Sequence, residues 1–183
     1  MLLASLDDVK TFLEKTDTQH DDLLEQIITG VSARIELFLN RNLEQKERTQ
    51  YFDAGKRYYY LPAYPIDLTA TLTVTLDDTV QDKDDVYFVW ENDGLIEFYS
   101  APTYIEPKQL KIVWTGGYTS TTVPEDIKYA TILQSAYIFR RRKDLGASSV
   151  SSPNGSISVS APTDLLPDVK KLLQTLRRKP SLR

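Results

Sequence analysis

The spacing of apolar residues changes twice along the chain, from a period near 3.6 to a period of 2 and back, and so divides it into three parts. In the first part, Val9, Phe12 and Leu13 share one face of a short helix. It opens at Ser5, whose side chain can cap the free amide of Asp8, and ends near Lys15. A longer helix is predicted from Asp21 to Asn40, with Leu24, Ile27, Ile28, Val31, Ile35, Phe38 and Leu39 in a single stripe. The two should pair as an antiparallel hairpin. His20 falls at their junction, in a solvent-facing or backbone-capping position with no convergent acid or nucleophile.

From Arg48 to Thr115 apolar and polar residues alternate, most regularly in Thr71-Leu72-Thr73-Val74-Thr75-Leu76, where β-branched residues favour a strand. Further strands are predicted at Thr49 to Phe52, Tyr58 to Leu61, Val86 to Trp90, Leu95 to Tyr99 and Leu110 to Trp114. Glu91-Asn92-Asp93-Gly94 lies between two apolar runs and reads as a hairpin turn. Asp53-Ala54-Gly55 and Asp77-Asp78 mark further turns, and Pro62, Pro65, Pro102 and Pro107 keep their segments out of any central strand. Alternation through Tyr58-Tyr59-Tyr60 buries either Tyr58 and Tyr60 or Tyr59 alone, and core plus interface explains these tyrosines better than a nucleic-acid platform on an acidic body.

Gly116-Gly117 ends the last strand, and Pro124 starts a third helix with Glu125 and Asp126 in its first turn. Ile127, Ala130, Ile132, Leu133, Ala136, Tyr137, Ile138 and Phe139 leave little of this helix polar, so it must be covered on more than one side, by its own chain or by a neighbour. It closes on Arg140, Arg141, Arg142 and Lys143. A serine-rich stretch follows, in which Pro153-Asn154-Gly155 signals a turn and Ile157 and Val159 alternate with serines as in an extended arm. A flexible linker is the competing reading. A two-stranded ribbon alone is marginal in water, so such an arm is expected to pair with another chain. A last amphipathic helix from Asp164 places Leu165, Leu166, Val169, Leu172, Leu173 and Leu176 on one stripe ending in Arg177 and Arg178. It either folds back on its own domain or packs on a neighbour.

The implied class is α+β: an N-terminal helical hairpin, a long central helix and a C-terminal helix forming a bundle, with an inserted antiparallel β-sheet or sandwich. The expected division is a bundle core at 1–46 and 120–146, a β domain at 47–119, an arm at 147–162 and a docking helix at 163–183. In 183 residues, 41% of them hydrophobic and 26% charged, there is material for a sizeable core. The absence of cysteine removes disulfides, thiol nucleophiles and Cys-type zinc sites, and a single histidine leaves few triads or transition-metal sites. No apolar run has the length of a membrane span and Met1-Leu2-Leu3 is too short for a secretory signal, so a cytosolic product is expected. No glycine spacing fits a phosphate-binding loop, and the acidic pairs sit at helix starts and turns. A calcium site at Asp77-Asp78 and Asp82-Asp84-Asp85 would lack the glycine and distal glutamate of the familiar loop. No catalytic residue, metal ligand or cofactor is assigned. Charge is divided: residues 1–139 carry 12 Lys and Arg against 23 Asp and Glu, whereas residues 140–183 carry 10 against 3. An acidic body with a basic end suits head-to-tail association between copies or a polyanionic partner.

In order along the chain, "LASLDDVKTFL", "ARIELFLNRNL", "TQYFDAG", "LPAYPI", "LKIVWTGGY", "VPEDIKYATILQSAYIFRRR" and "LLPDVKKLLQTLRRK" resemble the head-tail connector proteins of tailed bacteriophages, of the gp6-like/gp15-like adaptor family. The long β insertion departs from the shortest, nearly all-helical members. The resemblance implies a twelve-fold ring of copies beneath the portal protein, in the virion neck after assembly in the host cytoplasm. Such a ring extends the channel for passing double-stranded DNA, without sequence specificity, and offers a platform to the next neck or tail completion protein. It implies docking on portal or neighbour by the Leu165–Arg178 stripe and by the arm, and an inter-subunit or channel role for Arg140 to Lys143. The alternative is a small nucleic-acid-binding module that uses the basic clusters; an unrecognised hydrolase with paired carboxylates ranks below both.

Overall fold

A computed structural model describes residues 1–142, 149–152, 155–158 and 164–177. They form two compact units: a helical unit from Met1–Leu39 and Val123–Arg177, and a β unit inserted between them from Asn40 to Thr122.

The helical unit contains α1 (Leu6–Phe12), α2 (Asp21–Leu39), α3 (Glu125–Arg140) and α4 (Pro167–Leu173). The start of α1 is a capping box. Ser5 Oγ accepts from the Asp8 amide at 3.1 Å, and the Asp8 carboxylate accepts in return from the Ser5 amide at 3.1 Å and the Ser5 hydroxyl at 2.6 Å. These bonds, with the Lys128 ammonium at 3.2 Å, hold the Asp8 carboxyl below its ordinary pKa. Because the folded pKa is depressed, the contribution is present above about pH 4 and is lost as pH falls through the folded value. Ser5→Ala should therefore destabilise the helical unit by about 1 kcal/mol at neutral pH. It should also move the Asp8 titration toward that of a free carboxyl, which carboxyl NMR would follow.

Val9, Leu24, Ile28 and Phe139 form the centre of this unit, with Leu13 and Ile27 packed against them. Phe12, expected on the buried face, is 40% exposed. Three residues beyond Val9 it points about 60° away on the water side, whereas Leu13 comes round onto the cluster. A 2.7 Å ion pair between Lys10 and Asp21 joins α1 to α2, and the buried Ser32 hydroxyl accepts the Leu3 amide at 3.1 Å. Pro124 stands one position earlier than expected, as the residue before α3 rather than its first. The buried side of α3 includes Thr131, Gln134 and Ser135 as well as its apolar residues.

In the β unit, β1 (Lys46–Phe52), β7 (Leu110–Gly116), β3 (Leu72–Leu76) and β4 (Thr79–Val80) form one antiparallel sheet in the order β1-β7-β3-β4. A second sheet has the order β2-β6-β5, with β2 at Tyr58–Tyr60, β5 at Tyr87–Trp90 and β6 at Leu95–Phe98. Val74, Leu110, Ile112 and Trp114 from the first sheet share a core with Tyr59, Tyr87, Val89, Ile96 and Phe98 from the second. Of the two alternatives for the tyrosine run, Tyr59 is the buried one; its hydroxyl accepts from the Lys56 amide at 3.1 Å. The Glu91–Gly94 hairpin is present as a 3-10 turn with Gly94 at φ 62°. The short β4, not expected from the sequence, returns from a two-residue turn in which Asp77 and Asp78 have φ of 50° and 57°.

The two ends of the β unit are stitched together. Tyr118 donates its amide to the Leu43 carbonyl at 2.6 Å, and its carbonyl accepts from the Gln45 amide at 2.9 Å. Gly117, at φ 111°, lies against this crossing, where a Cβ would stand 2.6 Å from the carbonyl oxygens of Leu43 and Glu44.

Of the serine-rich arm, β8 (Ser149–Ser152) and β9 (Gly155–Ser158) are described and pair antiparallel, with Val150 opposite Ile157. The turn residues Pro153 and Asn154, and Val159, lie outside the described residues.

Candidate functional site

Alternation in the second sheet sends Tyr87, Val89, Tyr59, Ile96 and Phe98 inward. The same alternation must send Phe88, Trp90, Tyr58, Tyr60, Leu95 and Glu97 to the opposite face. The strand register arranges them in two rows, Tyr58–Glu97–Phe88 and Tyr60–Leu95–Trp90. Phe88, Tyr60, Tyr58 and Trp90 are 39%, 42%, 46% and 47% exposed. Phe88 meets Trp90 edge to face at 5.2 Å between ring centres.

One carboxylate organises this face. Glu97 Oε1 accepts from the Arg57 guanidinium at 2.8 Å, and Oε2 accepts from the Trp90 indole N–H at 3.0 Å. Arg57 is itself fixed by a 3.1 Å bond from Nε to the Phe98 carbonyl and lies over the Tyr58 ring at 5.6 Å. The Glu97 carboxylate, the Arg57 guanidinium and the Trp90 N–H are thus paired in place, and the four rings beside them stay partly exposed. An antiparallel sheet with a solvated face is normally polar there, so this cluster of exposed aromatic residues is the candidate docking surface. Tyrosine, tryptophan and phenylalanine are the residues in which interface centres are enriched. Beside it, Tyr51, Phe52, Asp53, Lys56, Tyr58, Tyr60 and Lys108 line a groove of about 450 Å³.

The α4 stripe is divided. Leu165, Val169 and Leu173 are buried within the chain's own helical unit, while Leu166, Leu172 and Leu176 are half-buried. Gln134, fully buried on α3, clamps the approach to α4: Oε1 accepts from the Leu166 amide at 2.9 Å, and Nε2 donates to the Asp164 carbonyl at 3.3 Å. Arg177 lies over the Phe38 ring at 5.2 Å, and Arg178 lies outside the described residues.

The basic run after α3 is divided too. Arg140 is exposed. Arg141 bonds the Tyr137 hydroxyl at 3.2 Å. Arg142 donates to the Phe139 carbonyl at 2.7 Å with its guanidinium 4.0 Å over the Phe139 ring, completing the negative end of the helix. Lys143 lies outside the described residues. His20, half-buried at the junction before α2, packs edge-on against Phe139 at 5.5 Å, and its carbonyl accepts from the Leu24 amide at 2.9 Å.

Among the described residues no three His, Cys, Asp or Glu side chains are placed to hold a metal, and no helix is long and apolar enough to cross a membrane. Sequence reading missed Arg57, Phe88, Trp90 and Glu97 as a group. The available signal was the run Tyr87-Phe88-Val89-Trp90, apolar on both faces where a half-solvated strand would alternate.

Several solved structures share the fold. A chain in the neck of an empty gene transfer agent (GTA) particle, computed with six-fold symmetry, superposes with a TM-score of 0.66 at 17% identity, covering 98% of this chain and 92% of its own. A chain in the native GTA virion gives 0.63 at 17% identity over 98% and 92%. One in the native GTA neck, computed with twelve-fold symmetry, gives 0.56 at 17% identity over 97% and 90%. No curated protein sequence matches. Matched from residue 2 to residue 179, the chain belongs to the head completion protein family.

Proposed function

We propose that this protein is a structural connector of the virion neck, a gp6-like/gp15-like adaptor whose copies form a ring between portal and tail. The observation that carries the reading is the outer face of the second sheet, four exposed aromatic rings around a fully satisfied Glu97, in a chain of the head completion protein family. Such a surface binds protein. Similarity to chains in GTA necks supports the same place in a particle, and twelve copies would match one of those neck reconstructions.

In this ring the aromatic face of the β unit receives a neighbouring component. The remaining exposed part of the α4 stripe, Leu166, Leu172 and Leu176 with Arg177, meets the portal or the adjacent copy. The acidic composition of residues 1–139 lets double-stranded DNA pass without adhering, and Arg140 reaches an acidic surface of the next copy.

The test is incorporation into particles. Chains carrying Phe88→Ser and Trp90→Ser should fold normally, because both residues face outward and the core of the β unit is untouched. Mixed with portal-bearing capsids, they should lose at least about 90% of the docking seen for the unaltered chain, a deficit of roughly 1.4 kcal/mol or more. Imaging of the portal vertex provides the count. Undiminished incorporation would remove the aromatic face from the interface. An unaltered chain that makes no ring but binds DNA with steep salt dependence would favour the nucleic-acid module instead.

A further inference from the structure

Every exposed sheet edge offers unpaired N–H and C=O groups, and proteins shorten, cover or charge such edges. In the β unit β4 is two residues long, β2 is three, and β5 is flanked by the bonds of Asp84 to Tyr87 and of Tyr99 to Val86. β1 is different. It has seven residues and pairs along its whole length with β7 on one side, and among the described residues no other strand pairs with it. Charges guard only its first part: Lys46, Glu47 and Arg48 are followed by Thr49-Gln50-Tyr51-Phe52, four uncharged residues.

A strand of matching character exists in the same chain. β8 and β9 have four residues each and, among the described residues, pair only with one another. They lie in a stretch, Leu145 to Thr163, without a single Asp, Glu, Lys or Arg. A solvated loop of that length normally carries charge, whereas a strand that adds to another chain's sheet must not. A two-stranded ribbon becomes stable when it gains a third strand. Within one chain the ribbon and β1 belong to separate sheets.

We infer that the β8–β9 ribbon of one copy adds to the Thr49–Phe52 edge of β1 in the next copy. The contact is head-to-tail, since donor and acceptor are different surfaces, and repetition of such a contact closes a ring when the rotation permits. Backbone hydrogen bonds supply the attachment, and the charged first half of β1 limits the added strand to four residues. The inference rests on the ring proposed above and names one of its interfaces.

The absence of cysteine makes the test direct. Full-length Thr49→Cys chains are mixed with chains carrying one cysteine at successive positions through 149–152 and 155–158, and the mixture is oxidised during assembly on portal-bearing capsids. Disulfide-linked pairs between the two kinds of chain should appear at alternate positions of one strand, the period-two signature of strand pairing, and should be absent from dilute unassembled protein. Independently, Thr49→Lys with Tyr51→Lys should weaken association between copies by about tenfold or more, since lysine on an edge blocks strand addition. Both residues are exposed, so the fold should survive. Rings that form without a cross-link at any position, or at unchanged strength in the lysine variant, overturn the pairing and leave the ring standing. A chain that stays single even on capsids overturns both.

Discussion

Gly117→Ala should destabilise the β unit by about 3 kcal/mol or more, seen as a lower urea midpoint with an unchanged slope. Two independent causes add. At φ 111° an alanine is strained by itself, and its Cβ would stand 2.6 Å from the carbonyl oxygens of Leu43 and Glu44, which are backbone and cannot swing aside. The same crossing carries the bonds of Tyr118 to Leu43 and Gln45, so relief of the clash would break the stitch. Gly30 is the matched control. It lies inside α2 with nothing within 4 Å of a built Cβ, and Gly30→Ala should stabilise by about 0.5–1 kcal/mol through helix propensity. Opposite signs for the same substitution would separate clash from backbone entropy; a loss below about 1 kcal/mol at Gly117 would mean the crossing opens easily.

Gln134→Leu should release α4. The leucine nearly keeps the volume but leaves the Leu166 N–H and the Asp164 C=O without the partner they have at the foot of the helix. Unsatisfied groups of this kind cost about 1–3 kcal/mol each when they stay buried. The chain avoids part of that by letting 164–173 open, at the cost of exposing Leu165, Val169 and Leu173. Amide hydrogen exchange through α4 should therefore quicken by about tenfold to a hundredfold, equivalent to about 1.4–2.7 kcal/mol, while β7 keeps its protection. Unchanged exchange in α4 would mean that the apolar contacts alone hold it.

Much of the fold is written in the spacing of residues. Leu24, Ile28, Val31, Ile35 and Leu39 are buried as the stripe requires, and six of the seven strands of the β unit fall where alternation or apolar runs place them. β4 escaped because two residues, Thr79 and Val80, are too few to show a period. Pattern also says little about depth. Phe12 and Leu13 are both large apolar residues, yet only the geometry of a helix that ends at Phe12 decides which packs against the cluster around Val9. Gln134, Thr131 and Ser135 are buried against expectation for their type, and what makes this tolerable is partners distant in sequence, such as the loop before α4.

The proposed docking surfaces are harder to read than the core. The leucines of α4 are visible as a stripe, but a stripe states that something covers it and not which chain does. In the folded chain two of them, Leu165 and Leu173, are covered by the chain itself, together with Val169. Phe88 and Trp90 read as ordinary strand residues, because β-propensity and interface enrichment both favour aromatics and neither reports which face is empty. Arg57 and Glu97 lie 40 residues apart and are joined only by the pairing of β2 with β6.

The stitched crossing at Leu43, Gln45 and Tyr118 has an evolutionary consequence. Because the chain leaves and returns at one closed point, the intervening segment is topologically a detachable module: it could be lost, lengthened or exchanged for another cassette by joining its two feet, with no change in connectivity of the helices outside it. Lineages of the head completion protein family could then diversify what they display by swapping cassettes while inheriting a helical frame intact. A chimera that carries a foreign antiparallel insert between residues 43 and 118 would be the laboratory equivalent.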